Sequence, residues 1–478
     1  MDNDFSADLA SPNTAFTHFW EHTIGSGHAT LALRADWQQQ MKRAHRELGF
    51  KRVRFHGILS DNMGTFVDES DQPIYSFFNA DQVMDFLLSI GMAPFVELSF
   101  MPLALSSGDQ TVFNYKDNVT PPKDYSAWQK LIGTVVAHWL DRYGPEKMRD
   151  WFFEVWNEPN LPAFWTGTQE GYFDLYKYAA LAIKATHADL RVGGPASASN
   201  TWITEFREYC EKNAVPYDFI STHHYPTDAF GNPGDDTLTQ LADSKRSVLR
   251  EQVLATRKKA GKTPVYYTEW STSSNPFDML HDRPYAAAYI TKTIMEAQGL
   301  VEGYSYWTFS DIFDENYFSS IPFHGGFGLL NIYGIPKPAY RAYELLHRLG
   351  DTQILANGQH PTVDVWVITS SPTTHILLTN SALPRHPVKT ESINIRLDHI
   401  AMIKQAFVER VDDTHANATS AWEEMGSPGT LSPARVAILE SASVLVKDSL
   451  HFSQTGDSVF LEIDMPPQGT ALITVETI

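Results

Sequence analysis

The sequence predicts an α/β fold, a (β/α)8 barrel of the TIM type with a C-terminal β-sandwich module. Three observations predict it. Short apolar runs alternate with amphipathic segments between about residues 15 and 350, the rhythm of repeated strand–helix units around a parallel sheet. Beyond residue 350 the texture becomes β-rich and turn-punctuated. Two of the earlier apolar runs end abruptly in a carboxylate, at Glu158 and Glu269, where parallel barrels carry their chemistry.

Candidate barrel strands are residues 16–19, 52–59, 93–100, 151–155, 191–194, 219–224, 265–268 and 303–309. Each is a short apolar or aromatic run bounded by turn residues. Helical periodicity between them covers 36–48, 124–143, 171–188, 237–260 and 284–296. A last helix, 339–349, is stopped by Gly350. Strands 362–369, 374–378, 392–397, 405–411 and 459–463 then follow, with no helix expected among them. A catalytic barrel over 15–350 and a sandwich over 351–478 are the resulting expectation. The chain shows no internal repeat and no low-complexity tract.

The 478 residues, 43% of them hydrophobic, can bury a sizeable core and exceed one ordinary domain. Aromatics at 13%, with 12 Trp, serve equally as sugar platforms or as core. A net charge of −20 argues against nucleic acid and anionic membranes as partners. Cys210 is the single cysteine, so an intrachain disulfide is excluded and a reducing compartment fits. The first residues have neither a basic n-region nor an apolar run, so a cytoplasmic location without a signal peptide is expected. No run approaches the roughly 20 apolar residues of a membrane span.

The strand-four run reads Trp151, Phe152, Phe153, Glu154, Val155, Trp156, Asn157, Glu158, Pro159. It places an amide and a carboxylate at a strand end. Glu269 follows Val265, Tyr266, Tyr267 and Thr268 in a similar frame on the seventh strand. Two strand-end carboxylates fit acid/base and nucleophile for cleaving a glycosidic bond. The bland readings are a helix N-terminal carboxylate for Glu158 and a rim carboxylate paired with arginine for Glu269.

Other strand ends add polar groups. Residues two apart on a strand share a face, so Arg54 and His56 point together, and an inward Arg54 would hold a nucleophilic carboxylate ionised. His223 and Tyr225 share a face that His224 opposes, which disfavours a metal pair of adjacent histidines. His223 reads as a sugar ligand or as a satisfied core histidine, and Tyr225 as a partner of the nucleophile. Trp307 reads as a platform under the sugar. Asp314 and Glu315 read as hydroxyl ligands or as a solvated loop pair. The Gly25, Ser26, Gly27 run and the Gly325, Gly326, Phe327, Gly328 run read as rim loops, since neither opens a phosphate-binding helix. No metal signature is present, and neither metal nor cofactor is expected.

Taken in order, these motifs resemble glycoside hydrolase family 39, whose members include β-xylosidases and α-L-iduronidases. The matching residues are Arg54 to Gly57, Trp151 to Leu161 with Phe164 and Trp165, Thr268 to Trp270, Trp307 to Asp311, Gly325 to Leu329 and Lys337 to Tyr340. They span roughly residues 16–350. The resemblance implies a retaining hydrolase with Glu158 as acid/base and Glu269 as nucleophile. It implies that Asn157 contacts the 2-hydroxyl and that His56, His223, Tyr225 and Trp307 bind sugar. It also implies a β-sandwich beside the barrel, into which residues 1–14 weave. The iduronidase branch carries lysine where Tyr225 stands, and xylosidase relatives carry tyrosine, so a neutral sugar is expected. Xylosidase relatives tend to have two glutamates where this chain has Asp314 and Glu315.

The expected reaction is release of terminal β-D-xylose from xylo-oligosaccharides by double displacement. The alternatives are another neutral glycoside (β-glucoside, arabinoside or an endo-substrate), transglycosylation, and a catalytically dead carbohydrate-binding barrel. The last would have lost a carboxylate, and both are present. A monomer is expected, since no extended assembly tail follows the strand-like 470–478.

Overall fold

The computed structural model describes residues 3–69, 72–227, 234 and 236–478. Eight parallel strands form a nearly closed barrel: β1 (Ile24–His28), β2 (Arg52–His56), β3 (Ala93–Leu98), β4 (Phe152–Val155), β5 (Arg191–Ser197), β6 (Phe219–His224), β7 (Val265–Trp270) and β8 (Gly303–Tyr306). Neighbours in sequence are neighbours in the sheet. Just past β8 the Phe309 N–H donates to the Gly25 carbonyl at 3.0 Å, drawing the last strand to the first. The principal helices are α1 (Ala35–Leu48), α2 (Phe78–Ser89), α3 (Tyr125–Met148), α4 (Gln169–Thr186), α5 (Ile203–Asn213), α6 (Val248–Ala260), α7 (Pro284–Ala297) and α8 (Pro338–His347). Their starts follow ordinary capping chemistry: Asp124 and Thr168 accept N–H groups at the heads of α3 and α4, and α7 and α8 begin with proline.

Strand alternation sorts the side chains. Phe153 and Val155 face outward into the main core, beside Trp139 and Trp151. Phe152 and Glu154 face inward. Phe152 lies level with Phe95 of β3, and Glu154 level with Glu97. The barrel interior therefore has layers. Near the strand N-termini Phe95, Phe152 and Phe219 form an aromatic plug, with Phe95 and Phe152 stacked at 5.2 Å. Arg52 and Arg191 sit 5.1 and 4.9 Å from the centre of the Phe152 ring. One layer up the plug gives way to the buried charges Arg54, Glu97 and Glu154.

Two further sheets enclose a second apolar core that includes Val365, Ile376, Ile393, Val408 and Ile473. One sheet has five strands and the other seven. Strand Asp4–Asp8 pairs in parallel with Glu391–Asp398, and Asn13–Ala15 pairs with Thr352–Ile354, so the chain's first strands lie in these sheets. Arg246 clamps Asp364 with contacts of 3.2 and 2.6 Å and ties the barrel to them. Among the described residues no helix is long and apolar enough to cross a membrane.

Four expectations are corrected. Residues 16–19 are not the first strand: Phe16 and Phe19 are buried beside a 3-10 turn, Phe19–Glu21. The first strand is Ile24–His28, and its Gly25, Ser26 and Gly27 are strand rather than rim loop. The helical stretch 237–260 is two helices, Thr237–Asp243 and α6. The C-terminal region holds two helices, Ala418–Glu424 and Pro433–Ala442. Ser432 caps the second of these, with Pro433 at its first position, a start signal present in the sequence.

Candidate active site

The carboxyl ends of the strands surround a cavity of about 450 Å³. Among the described residues its walls include Glu158, Tyr225, Glu269, Trp307 and Glu315, with Phe113 and Phe164 giving an aromatic side. Both strand-end carboxylates therefore open into one space, from β4 and β7.

Backbone geometry aims them. Trp156 and Glu158 have φ of 73° and 44°, the left-handed region that non-glycine residues avoid. The turn is held by the Glu158 N–H donating to the Ala196 carbonyl at 2.8 Å and by Trp156 Nε1–H donating to Phe164 at 2.7 Å. Trp156 packs edge-on to Phe100 and Trp165, which explains the aromatic character of this run. On β7 the register with β6 slips at Thr268, so that Glu269 lies level with His223. Such a bulge re-aims the following side chain.

One oxygen of Glu158, one of Glu269 and a nitrogen of His223 lie within 4.8 Å of one another. His223 Nδ1 is 3.0 Å from Glu158 and 3.5 Å from Glu269. Tyr225 donates its hydroxyl to Glu269 Oε1. Arg54 is fully buried and is the hub: Nε meets Glu154 at 2.6 Å, Nη2 meets Glu97 at 2.7 Å and Asn157 at 2.9 Å, and Nη1 meets Glu269 at 3.4 Å. His56 bridges Glu97, at 2.8 Å, and Glu315, at 3.3 Å. Two carboxylates and an imidazole are also metal-ligand types, but here Arg54 already supplies a positive charge to Glu269. Outside the cavity His18, Glu21 and His347 form a second such cluster, in which both imidazoles contact one oxygen of Glu21 at 2.7 Å.

Burial dominates the electrostatics. It raises the Glu158 carboxyl to about 7, against the pull of Arg54 and His56. It also raises Glu269, with Glu158 adding and Arg54 opposing. Glu315 is pushed by burial to about 7, with His56 opposing. His56 itself is raised to about 10, because Glu97 and Glu315 outweigh its burial. Burial thus raises both strand-end carboxyls, and what distinguishes them is their partners, since Glu269 has direct contacts from Arg54 and Tyr225.

The structure brings together Arg54, His56, Asn157, Glu158, His223, Tyr225, Glu269, Trp307 and Glu315. They do not all reach the cavity. Asn157 and His223 are buried behind its walls, touching Arg54 and the two carboxylates respectively. Asp314 is half-buried and raised by burial, and it is absent from the described walls. Glu97, Glu154 and Thr268 were not singled out in the sequence. For the two glutamates the signal is a charged residue inside an apolar strand, which must find a partner, whereas Thr268 is ordinary strand composition. The glycine run has a structural role. Gly328 donates to Asp311 at 2.7 Å, and a side chain there would collide with the Asp311 backbone. Lys337 then joins Asp282 at 2.6 Å and Asp311 at 2.7 Å beneath it.

The chain is 47% identical to a β-xylosidase of Caldicellulosiruptor saccharolyticus, over 96% of its own length and 95% of the relative's. It is 35% identical to a β-xylosidase of Geobacillus stearothermophilus, over 97% and 94%. The solved structure of a monomeric β-xylosidase from Caulobacter crescentus CB15 superposes with a TM-score of 0.89 at 33% identity, covering 99% of both chains. The model of glycosyl hydrolases family 39 matches residues 5–458, across the barrel and most of the sandwich, and the chain belongs to that family.

Proposed function

We propose that this protein is a retaining β-xylosidase that releases terminal β-D-xylose from xylo-oligosaccharides. The observation that carries the reading is the approach of Glu158 and Glu269, with carboxylate oxygens within 4.8 Å. Retaining glycosidases hold their carboxyl groups about 5–5.5 Å apart, whereas inverting enzymes leave about 6.5–9.5 Å for a water. Glu269 attacks the anomeric carbon as protonated Glu158 donates to the leaving oxygen. Water deprotonated by Glu158 then displaces the sugar from Glu269 and returns Glu158 to its acid form.

Position argues for these roles. Glu269 is the carboxylate flanked by Arg54 and Tyr225, which favour its anion, and Glu158 is the one held near 7. The neutral Tyr225 phenol and the β-xylosidase names of the 47% and 35% identical relatives support a neutral pentose. Exo action is supported by the mouth: Asn114 N–H donates to the Glu315 carbonyl at 2.6 Å, joining the segment after β3 to the loop after β8. Trp307 is the platform and Glu315 the hydroxyl ligand. We read the enzyme as a cytoplasmic monomer, in keeping with its lone Cys210 and with the monomeric Caulobacter relative. Light scattering checks the oligomeric state.

The test is hydrolysis of 4-nitrophenyl glycosides of xylose, glucose, arabinose and galactose. Xylose is expected to be preferred, with retention at the anomeric carbon. Glu269→Gly should nearly abolish turnover. Glu158→Ala should spare good leaving groups in the first step and be rescued by azide. Full activity of either variant on an unactivated glycoside would overturn the roles.

A further inference from the structure

We propose that Thr268 and Glu154 are positioning residues that hold the His223 proton on Nε2, so that the bare Nδ1 accepts the acid proton of Glu158. The inference rests on the role given to Glu158 above and deepens it.

The argument is a count of protons along one buried line. Glu154 Oε2 accepts from Arg54 Nε at 2.6 Å, which leaves Oε1 as an acceptor. Thr268 Oγ1 lies 2.7 Å from that oxygen and donates its single hydroxyl proton there. With that proton committed, the Thr268 oxygen can only accept from its other neighbour, His223 Nε2, at 3.2 Å. His223 has no solvent exposure, and burial brings its imidazole down to about 4, so it is neutral at working pH. A neutral ring with its proton on Nε2 has a lone pair on Nδ1. Glu158 Oε1 is 3.0 Å from that lone pair, so the contact is a hydrogen bond only when Glu158 is protonated. Glu269 lies farther from the same nitrogen, at 3.5 Å, and has Arg54 and Tyr225 instead.

The line biases Glu158 toward its acid form twice. At rest it stabilises the proton that the leaving oxygen will take. After that transfer the Glu158 carboxylate faces a lone pair, which strengthens it as the base that takes a proton from water. The charged and titratable groups around the pair include Arg54 and His56 of β2, Glu97 of β3, Glu154 of β4, His224 of β6, Tyr225 after β6, Glu269 of β7 and Glu315 after β8. Among the described residues, Thr268 is the partner of His223 Nε2 that fixes which nitrogen carries the hydrogen.

Two measurements test this. In 15N-histidine-labelled wild-type protein, His223, assigned by difference against H223Q, should show a protonated Nε2 and a bare Nδ1. A protonated Nδ1 overturns the proposal. In Thr268→Val the ring is free to turn its proton toward the carboxylates, and the basic limb of kcat/KM should fall by about one pH unit. Thr268→Ser, which keeps the hydroxyl, should retain the wild-type limb. An unmoved limb in a folded Thr268→Val protein also overturns the proposal. Should that variant fail to fold, the wild-type nitrogen spectrum decides alone. Wild-type protein inactive on every aryl glycoside would refute the proposed activity, while the spectrum would still report the tautomer.

Discussion

Arg54 Nη1 stands 3.4 Å from Glu269 Oε2, the longest of the four polar contacts its guanidinium makes. The nearer partners are Glu154, Glu97 and Asn157. Arg54 therefore organises the charged layer of the barrel first and supports the candidate nucleophile as one member of that layer. Its planar fork serves three directions at once, which a point charge cannot do.

Arg54→Lys is accordingly not conservative. The ammonium would satisfy one or two of Glu97, Glu154 and Glu269 and leave the others buried without their partner. We expect kcat to fall by about 10²-fold or more through misplacement of Glu269 and Asn157. The unfolding free energy should drop by about 3 kcal/mol, at the lower end of the range for a broken buried pair. Steady-state kinetics and urea denaturation check both. A variant with wild-type stability would show that the layer does not depend on the fork.

The pH profile of kcat/KM should be bell-shaped. In the proposed mechanism Glu158 carries a proton, and burial holds it at about 7, so activity should fall as pH rises through that value. Glu269 must be ionised and is raised above its usual 4.5 by burial, so activity falls as pH drops through a region above the ordinary carboxylate range. Glu315 is also raised to about 7. Glu315→Gln should therefore change KM while leaving the basic limb in place. A limb that moves with Glu315 would reassign it.

Much of this site was legible before the structure, and the exceptions have physical causes. Glu158, Glu269, Tyr225 and Trp307 end runs whose apolar period announces them. Glu97 and Glu154 lie inside such runs, and there the period carries no sign of chemistry. Their inward direction becomes clear only once the Phe152–Phe95 and Glu154–Glu97 register is known. His223 has the right face for a sugar ligand, but the bulge at Thr268 brings Glu269 level with it, and the ring spends its nitrogens on protein partners. The first barrel strand is hidden by its own composition. Residues Ile24–His28 include two glycines, which lower strand propensity, while the preceding aromatic run imitates a strand.

Glu158 should also cost stability. Its folded-state value is raised from 4.5 to about 7, chiefly by burial. Below 4.5 both folded and unfolded chains hold the proton, and no cost is present. Between 4.5 and 7 the unfolded chain loses it while the folded chain retains it, so the folded state is progressively disfavoured as pH rises. Above 7 the cost is complete. Glu158→Gln is neutral throughout and should be more stable than wild type at pH 8, by about 1–3 kcal/mol. The gain should vanish near pH 4. Denaturation at the two pH values measures it, and an equal difference at both would show that the effect is not charge burial.

The last prediction concerns Gly25 and Trp307. A β-carbon on Gly25 would lie 2.6 Å from the Trp307 ring and 2.8 Å from the Tyr306 carbonyl oxygen, closer than such contacts allow. The glycine is needed for space, since the strand and the Trp307 indole pass this closely where the barrel closes. Gly25→Ala must push either the indole or the end of β8. Trp307 faces the cavity and the neighbouring backbone is tied by the Trp307 N–H to Trp270 at 2.8 Å and by Phe309 N–H to Gly25 at 3.0 Å, so the indole is the part expected to give way. Overpacking of this kind costs about 1–3 kcal/mol. The kinetic signature separates the outcomes. A tilted platform weakens sugar binding, so KM should rise severalfold with a smaller change in kcat, and Trp fluorescence should lose its response to xylose. A fall in kcat at constant KM would instead place the displacement at the strand end beneath Glu269.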